Sequence, residues 1–196
     1  MQRWLVTGAL IAWSSFCYAD RIITYAIDPQ RTQVSISWQY LGVPTEGGEF
    51  KGVTGFIYGN LDSPNKSWAE AHIPVNSFKS GWKLIDHRLI KSGEFFRAKE
   101  YPEIIFRSKS IDTVNKKSRE LSLSGEISVN GIVRPVTLFI ETKSLGPHPF
   151  YGDANAASMK AVTRFNRSEF GMDKFVGMVS DEIVVHLAVE AVVVKN

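Results

Sequence analysis

Period-two alternation of apolar and polar residues, in one run after another, limits what this chain can fold into more than any other feature. Val34, Ile36, Trp38 and Tyr40 alternate with Ser35, Ser37 and Gln39. Ala69, Ala71, Ile73 and Val75 alternate with Trp68, Glu70 and His72, and Leu121, Leu123, Gly125, Ile127 and Val129 alternate with serines and Glu126. Val136, Leu138 and Ile140 share one parity, as do Met159, Ala161, Thr163 and Phe165. Successive strand residues point to opposite faces, so each run is a strand with one buried face and one wet face. Asn130-Gly131 joins two of the runs, and both positions of that pair tolerate positive φ, the requirement of a tight hairpin. With 49–59, 104–106 and 183–194 added, roughly eight strands follow, the number that closes into a barrel able to hold one small ligand. One wet face per strand favours an up-and-down antiparallel order over a parallel sheet. Gly52 and Gly55 predict a bend or bulge, residues 42–48 a loop, and 112–117 a polar turn.

One stretch departs from this pattern. In 82–98 the apolar residues Trp82, Ile85, Leu89 and Phe96 fall three, four and seven apart, with Lys83, Asp86, Arg88, Lys91 and Glu94 mostly between them. That spacing predicts a short helix, interrupted near Gly93 and ended before Pro102. A single helical segment in an all-β chain fits a barrel with one end covered.

Residues 1–19 have a different character. Arg3 is followed by a mostly apolar run to Phe16, and Cys17-Tyr18-Ala19 places small residues before a cleavage point at Asp20. This pattern is expected of a secretory leader, and the run is too short to span a bilayer. The expected division is therefore a signal peptide at 1–19 and one barrel domain at 20–196. The chain's one cysteine, Cys17, lies in the leader. An exported chain without disulfides must hold together by packing and sheet hydrogen bonds. The 23 basic and 20 acidic side chains nearly balance, which is no electrostatic footprint for nucleic acid.

Catalytic motifs are thin. Asp86 and His87 are neighbours, which on a helix point in different directions. His72, His87, His148 and His186 lie far apart and show no metal-ligand spacing. The expectation is no enzyme, no metal and no resident cofactor. The aromatic-rich inner face suits a pocket for an apolar small molecule as well as it suits an ordinary core.

DHRLIKSGEFFRAKEYPEIIFRS, with its FF pair and Tyr-Pro, and GEISVNGIVRPVTLFIE, a Gly-flanked hairpin ending in Pro-Val, resemble in order two segments of the YceI-like family of lipid- and polyisoprenoid-binding proteins. RFNRSEFGMDKF with SDEIVVHLAVEA resembles its R-x-x-F-G and S-D-E ending, and Tyr25 to Asp28 with Gly48-Glu49-Phe50 resembles its opening. Gln30-Arg31-Thr32 and Gln39-Tyr40-Leu41 depart from positions where many relatives carry histidine.

The resemblance implies an extended eight-stranded lipocalin-like barrel in the bacterial periplasm. It would hold an isoprenoid lipid, a quinone or a polyprenyl chain, in a long apolar tunnel without catalysis. On that reading Trp38, Tyr40, Phe50, Phe56, Phe106, Leu123, Ile127 and Phe165 face the interior, and Trp82, Leu89, Phe95 and Phe96 cover one mouth. The expected partners are the isoprenoid lipid or quinone and, transiently, inner-membrane proteins, with a homodimer as one oligomeric option and no nucleic acid. The alternative is a filled-core interaction module that assists a membrane redox (cytochrome b561-type) or stress-response system. A third reading is an enzyme on the same frame, using Asp86, His87 and Glu94.

Overall fold

A computed structural model describes residues 21–115 and 117–194. The leader expected at 1–19 lies outside them. Ten strands run in chain order: β1 Ile22–Ile27, β2 Gln33–Tyr40, β3 Val43–Phe50, β4 Thr54–Asn60, β5 Trp68–Pro74, β6 Glu103–Asn115, β7 Glu120–Val129, β8 Ile132–Pro147, β9 Asn155–Asn166 and β10 Glu182–Val193. One helix, α1, spans Lys83–Lys91 between β5 and β6.

All pairings between named strands are antiparallel, and the sheet closes because β10 bonds both β9 and β1. β1 and β2 lie end to end along β10, β1 opposite Ala191 to Val193 and β2 opposite Val184 to Ala188. β4 pairs with β1 and β3 with β2 in the same way. These four short strands therefore make two broken staves, and ten strands form a closed barrel of eight. The expected antiparallel eight-stranded barrel is present.

Two local expectations need correction. Residues 42–48 are mostly strand, because Val43 to Phe50 pair along β2 despite Pro44 and two glycines. Tertiary pairing overrides local propensity here, and Pro44 is tolerated where its missing N–H costs no ladder bond. The expected polar turn at 112–117 also begins later, since β6 continues to Asn115 opposite Glu120.

β5 pairs with β4 and β6, and no ladder joins it to β3. On its free side β3 is tied to the 75–80 segment by two backbone bonds between Glu49 and Lys79, each 2.9 Å. Residues 75–101, with α1, fill that gap. Phe50 of β3, Phe78 and Phe96 pack ring against ring at 4.9, 5.6 and 6.0 Å, so the inserted segment shares the barrel's core.

Candidate functional site

At the end of the barrel covered by α1 lies a cavity of about 500 Å³, within the roughly 300–1,000 Å³ typical of small-molecule pockets. Its wall is β2 (Val34, Ile36, Trp38, Tyr40), the facing ends of β6, β7, β9 and β10 (Ile104, Ile127, Phe165, Val185), and the inserted segment. The lining is almost wholly apolar.

The sequence assigned Trp38, Tyr40, Phe50, Ile127 and Phe165 to the interior and Trp82, Leu89, Phe95 and Phe96 to the mouth; all nine line this cavity. Phe106 and Leu123 point inward but lie deeper. They pack with Val136 and Leu138 in a separate cluster that fills the barrel below the void. Phe106 folds over Gly125, where a Cβ would come within 2.8 Å of its ring. The interior is thus a cavity above a packed floor. The long tunnel implied by the resemblance is shortened by these side chains.

Phe56 is misassigned. It is 44 % exposed and sits on the outer face beside Tyr58. Phe50 and Phe56 have the same parity, but the break at Lys51 to Val53, with Gly52 at φ 71°, resets the register between β3 and β4. Alternation cannot be counted across such a break.

A bulge shapes the wall. Ile36 faces Gly48 while Ser37 faces Glu46, leaving Gly47 unpaired. A Cβ on Gly47 would fall 2.1 Å from the Trp38 ring, so only glycine lets the indole lie flat against β3. The long axis of Trp38 is thereby kept along the wall and out of the void.

The helix is held by its buried side, which the apolar spacing did not single out. Asp86 and Ile90 are its buried residues, while Ile85 and Leu89 look into the cavity. Asp86 accepts bonds from the Ser80 N–H and Oγ, both 2.6 Å. Burial pushes its carboxyl up, but the Ser80 bonds and the charge of Lys79 outweigh this and hold it below the usual range. Asp86 is thus a clasp for the turn that starts the helix. His87 is exposed, and Glu94 lies 3.5 Å from Arg88 and 3.6 Å from Lys174. The three residues weighed for an enzyme have separate structural settings.

Arg167 was not among the expected site residues. It is buried, lines the cavity, and donates to the carbonyls of Ser180 (3.0 Å), Lys174 (2.8 Å), Val179 (3.2 Å) and Met172. Burial pulls its pKa below the ordinary arginine value, against the charges of Asp181 and Asp173. It ties the 172–180 loop across the mouth. The signal was present, since Arg167 is the first residue of the R-x-x-F-G motif. Asn130 completes the rim: its side chain donates to the Phe95 carbonyl (2.8 Å) and accepts from the Arg97 N–H (3.1 Å).

A closed antiparallel barrel with an apolar cavity beneath one helix defines a class, the barrels with an enclosed apolar pocket. Residues 25–191 match the model of the YceI-like domain, and the chain belongs to that family. "Protein YceI" of Salmonella arizonae is 28 % identical over 170 residues, 86 % of each chain. Among solved structures, Burkholderia cenocepacia BcnA superposes with a TM-score of 0.71 at 23 % identity, covering 84 % of this chain and 98 % of that one. A polyisoprenoid binding domain from Saccharophagus degradans superposes at 0.61 with 11 % identity, covering 87 % of this chain and 98 % of that one.

Proposed function

We propose that this protein is an exported, non-catalytic carrier that holds the chain of an isoprenoid lipid, a quinone or a polyprenol, in the cavity beneath α1. One observation carries the reading: an almost fully apolar void of about 500 Å³ inside a barrel of the YceI-like family. The leader-like 1–19 segment and the Saccharophagus domain support export and an isoprenoid ligand, respectively.

The energetics suit exchange. Moving a chain of about 40 carbons from water at ~0.8 kcal/mol per CH₂ would release a gross ~30 kcal/mol. That exceeds the practical limit of about 18–21 kcal/mol on affinity. A membrane lipid starts from the bilayer, where its chain is already dry, so transfer into an apolar cavity is close to neutral. Such a site loads and unloads without a large trap.

The packed floor adds a length limit. A chain longer than the cavity must project through the mouth, because Phe106 and Leu123 close the way below. Native mass spectrometry of protein purified from its own host, with extraction of the bound molecule, tests the reading. An adduct of isoprenoid mass is expected. Protein that is free of lipid as isolated, and that takes up no quinone or polyprenol when offered one, would overturn it.

A further inference from the structure

The cavity mouth is ringed by apolar side chains that face outward. Leu41 and Val43 project from the β2–β3 turn, Trp82 and Leu84 from the start of α1, and Val176 and Met178 from the loop before β10. Leu84 is 88 % exposed and Trp82 71 %. The three groups are neighbours: the Leu41 N–H donates to the Met178 carbonyl at 2.7 Å, and the Arg88 guanidinium of α1 lies 5.1 Å over the Phe175 ring. With Tyr40, Ile85 and Phe175 just inside, this one end holds half of the large apolar side chains exposed among the described residues. Concentration of that kind marks an interaction surface, where scattered single residues do not.

Two of these side chains are held in unfavourable backbone. Leu41 has φ 49° and Phe175 has φ 62°, a region that bulky residues avoid. The comparison with the other tight hairpin is direct. Asn130-Gly131 (φ 54° and 74°) uses the residue pair such a turn prefers, whereas Leu41-Gly42 (φ 49° and 80°) puts leucine in the asparagine position. An exposed leucine placed where asparagine would be easier is not explained by folding.

The charges indicate what the ring meets. α1 exposes the cations Lys83, Arg88 and Lys91, while its one acid, Asp86, is buried. Lys79 and Lys174 add exposed positive charge nearby. The acids near this end include Glu46, Asp173, Asp181 beside Arg167, and Glu94, the last lying between Arg88 and Lys174. Two copies meeting through this face would oppose like-charged helices, whereas an anionic lipid surface complements them. Tryptophan and leucine ringed by lysine and arginine is also the composition that seats at a bilayer's headgroup boundary.

We propose that the rim of the cavity mouth is a membrane-docking surface, which seats on a bilayer containing anionic phospholipid and faces the cavity toward the acyl region. This deepens the carrier reading, and the two are read out separately.

The test is flotation of the purified protein with vesicles of phosphatidylcholine containing roughly one-third phosphatidylglycerol, at low and high salt. Wild-type protein is expected to float with these vesicles, and less so at high salt. The double variant Leu41→Asp/Leu84→Asp touches neither the cavity wall nor a buried contact. Aspartate also tolerates the backbone at 41 and suits the first turn at 84. It is expected to lower the bound fraction on the order of tenfold or more, while its melting temperature and its uptake of an offered quinone stay as in the wild type. Wild-type protein that remains in the buffer at low salt would overturn the proposal, as would a double variant that floats unchanged. A concentration-dependent dimer lost in the double variant, with no flotation of the wild type, would also overturn it and assign the rim to a second copy. Loss of quinone uptake with flotation intact would instead defeat the carrier reading alone.

Discussion

Phe106 and Phe95 stand at opposite ends of one interior, and their surroundings differ in kind. Phe106 lies over Gly125 and packs with Leu123, Val136 and Leu138, on strands that each have a hydrogen-bonded neighbour on both sides. Phe95 belongs to the inserted segment, stacks on Phe175 of a loop and faces the void. The floor is therefore filled by strand side chains alone. The mouth is assembled from a bulged strand, a helix and a loop; Asp86 pins the start of the helix, Asn130 the segment after it, and Arg167 the loop. A barrel keeps a cavity where its sheet is interrupted and the gap is bridged by something that does not fill it.

The same truncation at the two ends is the sharpest way to break this comparison. Phe106→Ala is expected to lower stability by about 3–5 kcal/mol in a denaturant melt. If the floor does not collapse, it should also admit longer polyprenols. Phe95→Ala should cost only about 1 kcal/mol, since the ring is half-buried, yet it should weaken lipid retention. Equal losses at both ends would show that the mouth is packed as tightly as the floor.

Gly47→Val tests the wall. The new side chain would collide with the Trp38 ring and drive it into the void, so lipid uptake should fall, with about 1–3 kcal/mol lost to overpacking. Unchanged uptake would mean that Trp38 does not border the bound molecule.

Acid should loosen the mouth through Asp86. Its folded pKa is depressed, so its contribution is present above the ordinary carboxylate pKa and is lost as pH falls through the folded value. Amide exchange in 80–91 is expected to rise below about pH 4 in the wild type. Asp86→Asn should be faster at neutral pH and lack that acid step.

The smallest effect is expected at the far side of the barrel. Tyr151 donates to Asp28 Oδ2 at 2.9 Å, and burial together with that carboxylate pushes its pKa up to about 12. The neutral form is favoured in the fold, so this contribution is complete below pH 10 and declines toward about 12. A Tyr151→Phe variant should lose the alkaline step in a melt series without any change at the mouth.

Much of the fold was legible without coordinates. Alternation located the staves, Asn130-Gly131 located one hairpin, and the three-and-four spacing located the helix. Five of the eight interior assignments, Trp38, Tyr40, Phe50, Ile127 and Phe165, line the cavity because parity is reliable within an unbroken strand, and the four mouth residues of the 82–98 segment line it as well. Parity failed at Phe56, beyond the break at Lys51 to Val53, where a register reset turns an inward parity outward. It could not tell Phe106 from Phe165, which share a face but lie at different depths. The roles of Asp86 and Arg167 depend on partners that chain order does not reveal: the Ser80 turn and four loop carbonyls.

Sequence by itself determined the side each strand residue faces and where the chain turns, because those follow from local backbone geometry and the period of the pleat. Only the tertiary structure decided how far the void extends and which apolar residues are left outside at its rim. Depth along a barrel depends on how staggered strands and an inserted helix meet, and no pattern confined to one segment records that meeting.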